Sequence, residues 1–131
     1  MSVLVDTPIW SQLFRRRNAH NAQVIQLREL IEKGHAQIIG PIRQETLSGI
    51  RSIDQFTRIR DGLRAFSDIA LSEAHFERAA EFYNTCRSKG VQGSNTDFLI
   101  CAVAELGGLK IFTSDKDFAR FAEHLPIELH S

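Results

Sequence analysis

The apolar positions of this chain change period along its length, and each change marks an element. Residues 2–5 form a short run that ends Val3-Leu4-Val5, the pattern of a buried strand. Thr7-Pro8 then reads as a helix N-cap followed by proline at the first helical position. This predicts a helix over residues 8–17, with Ile9, Leu13 and Phe14 at helical spacing. A second helix is predicted over residues 21–33, with Val24, Leu27 and Ile31 on one face and Gly34 as its stop. Residues 36–39 read as strand, and Pro41 restarts a helix that carries Glu45.

Further on, Phe56, Ile59, Leu63 and Phe66 predict a helix over residues 54–66. Residues 69–71 are a short strand candidate. Ser72 caps the next helix, whose expected buried face is Phe76, Ala79, Ala80 and Tyr83. Glu73, Glu77 and Glu81 fall on another, solvated face. Residues 90–93 form a loop. Asn95 or Thr96 then caps a strongly apolar helix to about Leu106, with Phe98, Leu99, Ile100, Ala102 and Val103 leaving little polar face; such a helix belongs in the interior. Gly107-Gly108 ends it. Strand over 110–112, helix over 115–123 and a last short strand over 127–129 complete the pattern.

Strands thus alternate with one or two helices. Connections of that length favour parallel pairing through right-handed crossovers. The expected class is α/β: one domain over residues 1–131, with helices on both faces of a small, mostly parallel sheet. No run approaches the ~18 apolar residues of a membrane span. No basic stretch and apolar segment open the chain as a signal peptide would. Cys86 and Cys101 suggest neither a disulfide framework nor a zinc site, so a reduced, cytoplasmic setting is expected. Net charge is zero, which argues against nucleic-acid binding by bulk electrostatics but leaves room for a local basic surface.

Four acidic positions lie at the edges of these elements. Asp6 and Asp115 each follow a strand-like run, Asp97 sits in the first turn of the apolar helix, and Glu45 projects from the helix after the second strand. Ligands of open parallel sheets bind beyond the carboxyl ends of the strands, where Asp6 and Asp115 fall. Glu45 lies at the edge of its helix's apolar side, and Gly49 is placed to allow close approach there. Taken singly, Asp6, Asp97, Asp115 and Asp117 also suit helix capping, and Glu45 suits a solvated surface. Were all four to meet, each pair of charges 4 Å apart would repel by about 4 kcal/mol at an effective dielectric near 20. A cation relieves that, and oxygen ligands select Mg²⁺ or Mn²⁺ over zinc. The reaction class is metal-dependent phosphodiester hydrolysis, with the cation activating water.

With these motifs in view, Val3-Leu4-Val5-Asp6-Thr7, Glu45, Asp97 and Thr113-Ser114-Asp115-Lys116-Asp117-Phe118 together, the chain resembles the PIN-domain ribonucleases, and among them the VapC-type toxins of bacterial toxin–antitoxin pairs. The resemblance spans essentially the whole length. It implies a parallel sheet of strand order 3-2-1-4-5 and an acidic quartet of Asp6, Glu45, Asp97 and Asp115 around Mg²⁺, with Mn²⁺ as a substitute. Asp6 and Asp97 are first choices for direct contact. Thr113 would orient water or carboxylate, with Asp117 and Ser114 accessory. It further implies an endoribonuclease acting on RNA, a homodimer, a VapB-type antitoxin that blocks the site, and contact with DNA only through the antitoxin complex; transfer RNA is a candidate substrate, with messenger and ribosomal RNA left open.

Other residues divide between readings. The run Arg15-Arg16-Arg17 suits RNA contact or the helix dipole alike. Arg60 and Arg64 share a face open to phosphate, antitoxin or solvent. Trp10 suits base stacking, a core or a dimer interface. Cys101 reads as core, and the five histidines form no metal-ligand spacing. A phosphatase of the dehalogenase type needs a second Asp two residues after its nucleophile, where Pro8 stands. The non-enzymatic alternative is a PIN-like module whose acids only cap helices or bind RNA or protein.

Overall fold

The computed structural model describes residues 2–15 and 21–131. Arg16 and Arg17 of the basic run, and His20, lie outside the described residues. Arg15 ends the first helix and is exposed.

Strand β1 (Val3–Val5) is buried along its whole length, as its uninterrupted apolar run requires. It lies at the centre of a three-stranded parallel sheet, between β2 (Ala36–Gln37) and β3 (Lys110–Phe112). Val3 pairs with Ala36 and Lys110, Leu4 with Gln37 and Ile111, and Val5 with Phe112. The outer candidates, residues 69–71 and 127–129, do not extend into strands. Each side of the sheet gains one parallel bridge, Ile38 with Asp68 and Ile111 with Leu129. The lateral order of segments is the 3-2-1-4-5 implied by the resemblance, but among the described residues three strands stand where five were expected. Each outer segment makes a single ladder contact, and on one side the chain then leads to Ser72 at the cap of the next helix.

Among the described residues, seven helices accompany the sheet: α1 (Thr7–Arg15), α2 (Ala22–Glu32), α3 (Gly40–Leu47), α4 (Ile53–Leu63), α5 (Glu73–Ser88), α6 (Asn95–Gly107) and α7 (Asp117–Ala122). Helix α2 is capped by Asn21, whose side chain accepts from the Gln23 and Val24 amides, and it stops at Gly34, where φ is +72°. Helix α6 is buried continuously from Phe98 to Ala104, the central position its all-round apolarity predicts.

Several expectations are corrected. The cap of α6 is Ser94, not Asn95 or Thr96: Ser94 Oγ accepts from the Asp97 amide at 3.0 Å, and Asp97 Oδ2 accepts from the Ser94 amide at 3.1 Å. The buried face of α5 is Ala79, Phe82 and Cys86, while Phe76 (54% accessible) and Ala80 are exposed. Arg78 lies beside that face. Its Nε donates to Glu105 on α6 at 2.9 Å, and its guanidinium lies 4.6 Å above the Phe82 ring. Helix α7 starts at Asp117 rather than Asp115, because the Asp115 carboxylate turns to accept the Asp117 amide at 2.9 Å. Gly49 is needed for its φ of +83° and not for close approach, since a Cβ there would meet nothing within 4 Å. Gly93 is the tight position: a Cβ would fall 2.6 Å from Phe121 Cζ, so glycine lets the chain enter the Ser94 cap against the aromatic core.

Trp10 belongs to that core. It is fully buried, donates through Nε1 to the Val5 carbonyl at 3.0 Å, and packs against Phe14 and Phe66. Cys101 is core as well. Arg60 and Arg64 both lie beside Asp61, at 3.2 and 3.8 Å, on a partly exposed surface. Among the described residues, no helix is long and apolar enough to cross a membrane.

Candidate active site

Asp6 occupies the first position beyond the carboxyl end of the central strand, and α1 begins immediately after it. Its amide donates to Phe112 in β3 at 2.9 Å, so the sheet holds its backbone, and its carbonyl accepts from the Ile9 amide at 3.1 Å. Asp6 is 5% accessible, and among the described residues it and Thr46 are the two buried polar ones. Oδ1 accepts from the Thr7 amide at 2.8 Å, and Oδ2 accepts from the Thr113 hydroxyl, also at 2.8 Å. Burial pushes its pKa up from 3.8 to about 6, against those two hydrogen bonds and with the help of the Asp97 and Glu45 charges.

Thr113 connects two acids. Its Oγ1 donates to Asp6 and accepts from the Asp115 amide at 3.0 Å, placing the start of the Asp115 turn against the end of β1. Asp97 is half-buried in the first turn of α6. Burial raises its pKa, the Ser94 amide and hydroxyl oppose the rise, and the Asp115 and Asp117 charges add to it. Glu45 is exposed, not turned into an interior cleft, yet its Oε2 accepts from the Thr7 hydroxyl at 3.2 Å. Asp115 is half-buried, and Ser114 and Asp117 are exposed.

The acids therefore share one edge of the sheet and sense one another's charge, but they do not form a closed cage. Among the described residues, no three His, Cys, Asp or Glu side chains converge closely enough to hold a metal ion as they stand. The physical reason is visible in their partners. Each carboxylate meets a donor of its own: Asp6 the Thr113 hydroxyl, Glu45 the Thr7 hydroxyl, Asp97 the Ser94 amide and Asp115 the Asp117 amide. The donor set is hard oxygen, which suits Mg²⁺ or Mn²⁺, and Mg²⁺ needs only one or two direct carboxylates. Asp6 fits that role best, since a cation would relieve the cost of its buried charge.

Two of these partners differ in how far their signal is local. Ser94-Asn95-Thr96-Asp97 is a recognisable capping-box spacing and was legible. The Thr7 hydroxyl had no such signal, because its acceptor is 38 residues away.

The comparisons with known proteins bear on this geometry. The PIN-domain family profile matches residues 3–124. The chain belongs to the PIN-domain family. Over 120 residues, 88% of each chain, this PIN domain is 30% identical to ribonuclease VapC11 of Mycobacterium tuberculosis. Its fold is similar to that of a solved toxin–antitoxin complex from Klebsiella pneumoniae, with TM-score 0.65 and 27% identity over 90% of this chain and 91% of that one. It is also similar to VapBC2 from Rickettsia felis bound to a promoter DNA fragment, with TM-score 0.76 and 20% identity over 99% and 98% of the two chains. The VapC-type resemblance read from the acidic motifs thus agrees with the family and with its relatives.

Proposed function

We propose that this PIN domain is a divalent-metal-dependent endoribonuclease, acting as the toxin of a VapBC-type pair. One observation carries the reading: a nearly inaccessible Asp6 at the end of the central strand, bonded to Thr113 and facing the charges of Asp97 and Glu45. A buried carboxylate held among like charges is the arrangement that a hard cation stabilises.

In this reading Asp6, Asp97, Asp115 and Glu45 hold Mg²⁺, with Mn²⁺ as a substitute, and Asp117 and Ser114 are accessory. A bound divalent cation supplies charge neutralisation at the phosphodiester and activation of water. The protein's own residues do the positioning. Thr113 fixes the Asp6 carboxylate and the Asp115 turn through one hydroxyl. Ser94 locks Asp97 at the first turn of α6, and Thr7 draws Glu45 toward the strand end. Each link limits the rotamers of an acid before substrate arrives, which lowers the reorganisation needed in the transition state.

Similarity to ribonuclease VapC11 supports RNA as substrate, and transfer RNA is the class we carry forward. Similarity to toxin–antitoxin complexes supports a VapB-type antitoxin as partner, DNA contact through that complex and a cytoplasmic setting. A homodimer belongs to the same proposal. Exposed Phe76 and Leu106 give α5 and α6 an apolar outer surface suited to it, and a monomeric mass in solution would exclude it.

Incubating the purified protein with total RNA and Mg²⁺, then sequencing the new 5′ ends, tests the activity. Discrete ends concentrated in transfer RNA are expected, absent in EDTA and restored by Mn²⁺. Cleavage undiminished in excess EDTA would overturn the metal-dependent mechanism, and ends in other RNA would overturn the substrate class. The open arrangement of the acids, each on its own donor, favours a second reading as a non-catalytic binding module. That reading predicts no new ends under any condition.

A further inference from the structure

We infer that Arg43 is a positioning residue that holds α3 in the rotation presenting Glu45 to the site, an inference that rests on the reading of Glu45 as a site residue. Helix α3 has eight residues, too few to persist without tertiary support, and its N-cap Ile39 supplies no side-chain hydrogen bond. Its orientation must come from what it touches.

Arg43 makes that contact from the middle of the helix. Nε donates to Asp68 Oδ1 at 3.0 Å, and Nη2 lies 2.9 Å from the same oxygen. Nη1 donates to the Leu63 carbonyl at 3.0 Å, and Nη2 donates to the Phe66 carbonyl. Leu63 is the last residue of α4, and its carbonyl also accepts from the Phe66 amide at 3.0 Å. A planar guanidinium is suited to such a fork of acceptors. Asp68 is anchored in turn. It bridges Ile38 in parallel at the sheet edge, and the neighbouring Ile69 amide donates to the Ile38 carbonyl at 2.9 Å. Its other oxygen lies over the start of α3, 3.7 Å from where a Cβ on Gly40 would sit. Negative charge is favourable at a helix start.

Arg43 and Glu45 are two positions apart, hence about 200° around the helix. The clamp grips one side while the carboxylate projects from the other. Were α3 to roll by 30°, a side-chain tip ~5–6 Å from the axis would move about 3 Å. That displacement would break the 3.2 Å contact between Glu45 and Thr7. Exposed on its own side, Glu45 has little else to hold it.

The test is the Mn²⁺ dissociation constant of the folded protein, measured without RNA. Variants are Arg43→Ala, Glu45→Gln, the double variant and Arg78→Ala as a control. Arg78 makes a comparable half-buried ion pair, between α5 and α6. Glu45→Gln and Arg43→Ala are each expected to weaken Mn²⁺ binding about 10-fold. The double variant is expected to bind no more weakly than Glu45→Gln alone, because Arg43 acts through Glu45. Arg78→Ala should lose stability and keep its affinity. Parental affinity in Arg43→Ala beside a weakened Glu45→Gln overturns the inference, as does full additivity in the double variant or an equal loss in Arg78→Ala. Parental affinity in Glu45→Gln sinks instead the site reading beneath it. Should Arg43→Ala fail to fold, Asp68→Asn, which keeps the two carbonyl contacts, takes its place with a smaller shift in the same direction.

Discussion

Asp6→Asn is expected to abolish RNA cleavage and, without divalent metal, to make the protein more stable than its parent. The two effects share a cause. Burial raises the Asp6 pKa from 3.8 to about 6, so at neutral pH the folded protein carries a carboxylate it would rather protonate. A shift of about two units corresponds to on the order of 3 kcal/mol at most, and the neutral amide removes that cost. The fit is also good. An asparagine oxygen can accept from the Thr7 amide as Oδ1 does now, and its NH₂ can donate to Thr113 Oγ1. The loss of activity should exceed the roughly 10–100-fold that removal of outer-shell partners costs. Asp97→Asn should likewise fold and fail to cleave, since an amide oxygen can still accept from the Ser94 amide. Denaturant titration at pH 7 in EDTA, paired with a cleavage assay, checks both halves. Parental cleavage by either variant would remove its residue from the site, and an Asp6→Asn protein less stable than its parent would refute the electrostatic account.

The second large effect is a stability profile whose fall with rising pH is largely offset when metal is added. A carboxyl whose folded pKa is raised binds its proton more tightly in the folded state. Its stabilisation is fully present below about pH 4 and is lost as pH rises through about 6. Asp97, also raised by burial, contributes with the same sign. His130 opposes them. Burial and Lys110 lower its pKa, so its contribution grows with pH in the window just below 6.5. The difference between parent and Asp6→Asn isolates the Asp6 part. Mn²⁺ or Mg²⁺ competes with protons for these oxygens, so its stabilisation should be negligible near pH 4 and full by pH 7. At 100 times the dissociation constant it amounts to about 2.7 kcal/mol. Thermal denaturation across pH with and without Mn²⁺ provides the measurement. No shift at millimolar Mn²⁺ would favour the non-catalytic reading.

Local interactions explain what could be read in advance. The strand β1, the helix stop at Gly34 and the buried α6 follow from apolar period and punctuation within a few residues. The acids could be placed at element ends because capping and strand-end positions are themselves local. Some corrections are local, as at the Ser94 cap and the Asp115 turn, and others rest on distant partners. Phe76 points outward while Ala79, Phe82 and Cys86 join the common core, and Arg78 reaches Glu105, 27 residues on, beside that face. Trp10, open to three readings, is core because Val5, Phe14 and Phe66 enclose it. Residues 69–71 and 127–129 carry strand-like composition, but only a neighbour's ladder can decide how far a sheet edge extends.

The sequence by itself determined the class of this protein, the PIN-family order of its acids and their places at strand ends and helix starts. All of these are written in short-range pattern. The tertiary structure alone decided which oxygen meets which hydroxyl. Thr113 reaches Asp6 across 107 residues, Thr7 reaches Glu45 across 38, and Arg43 holds α3 through Asp68 across 25. Such contacts depend on the register of parallel strands and the roll of short helices. Those are set by packing over the whole domain and leave no mark at any one position in the chain.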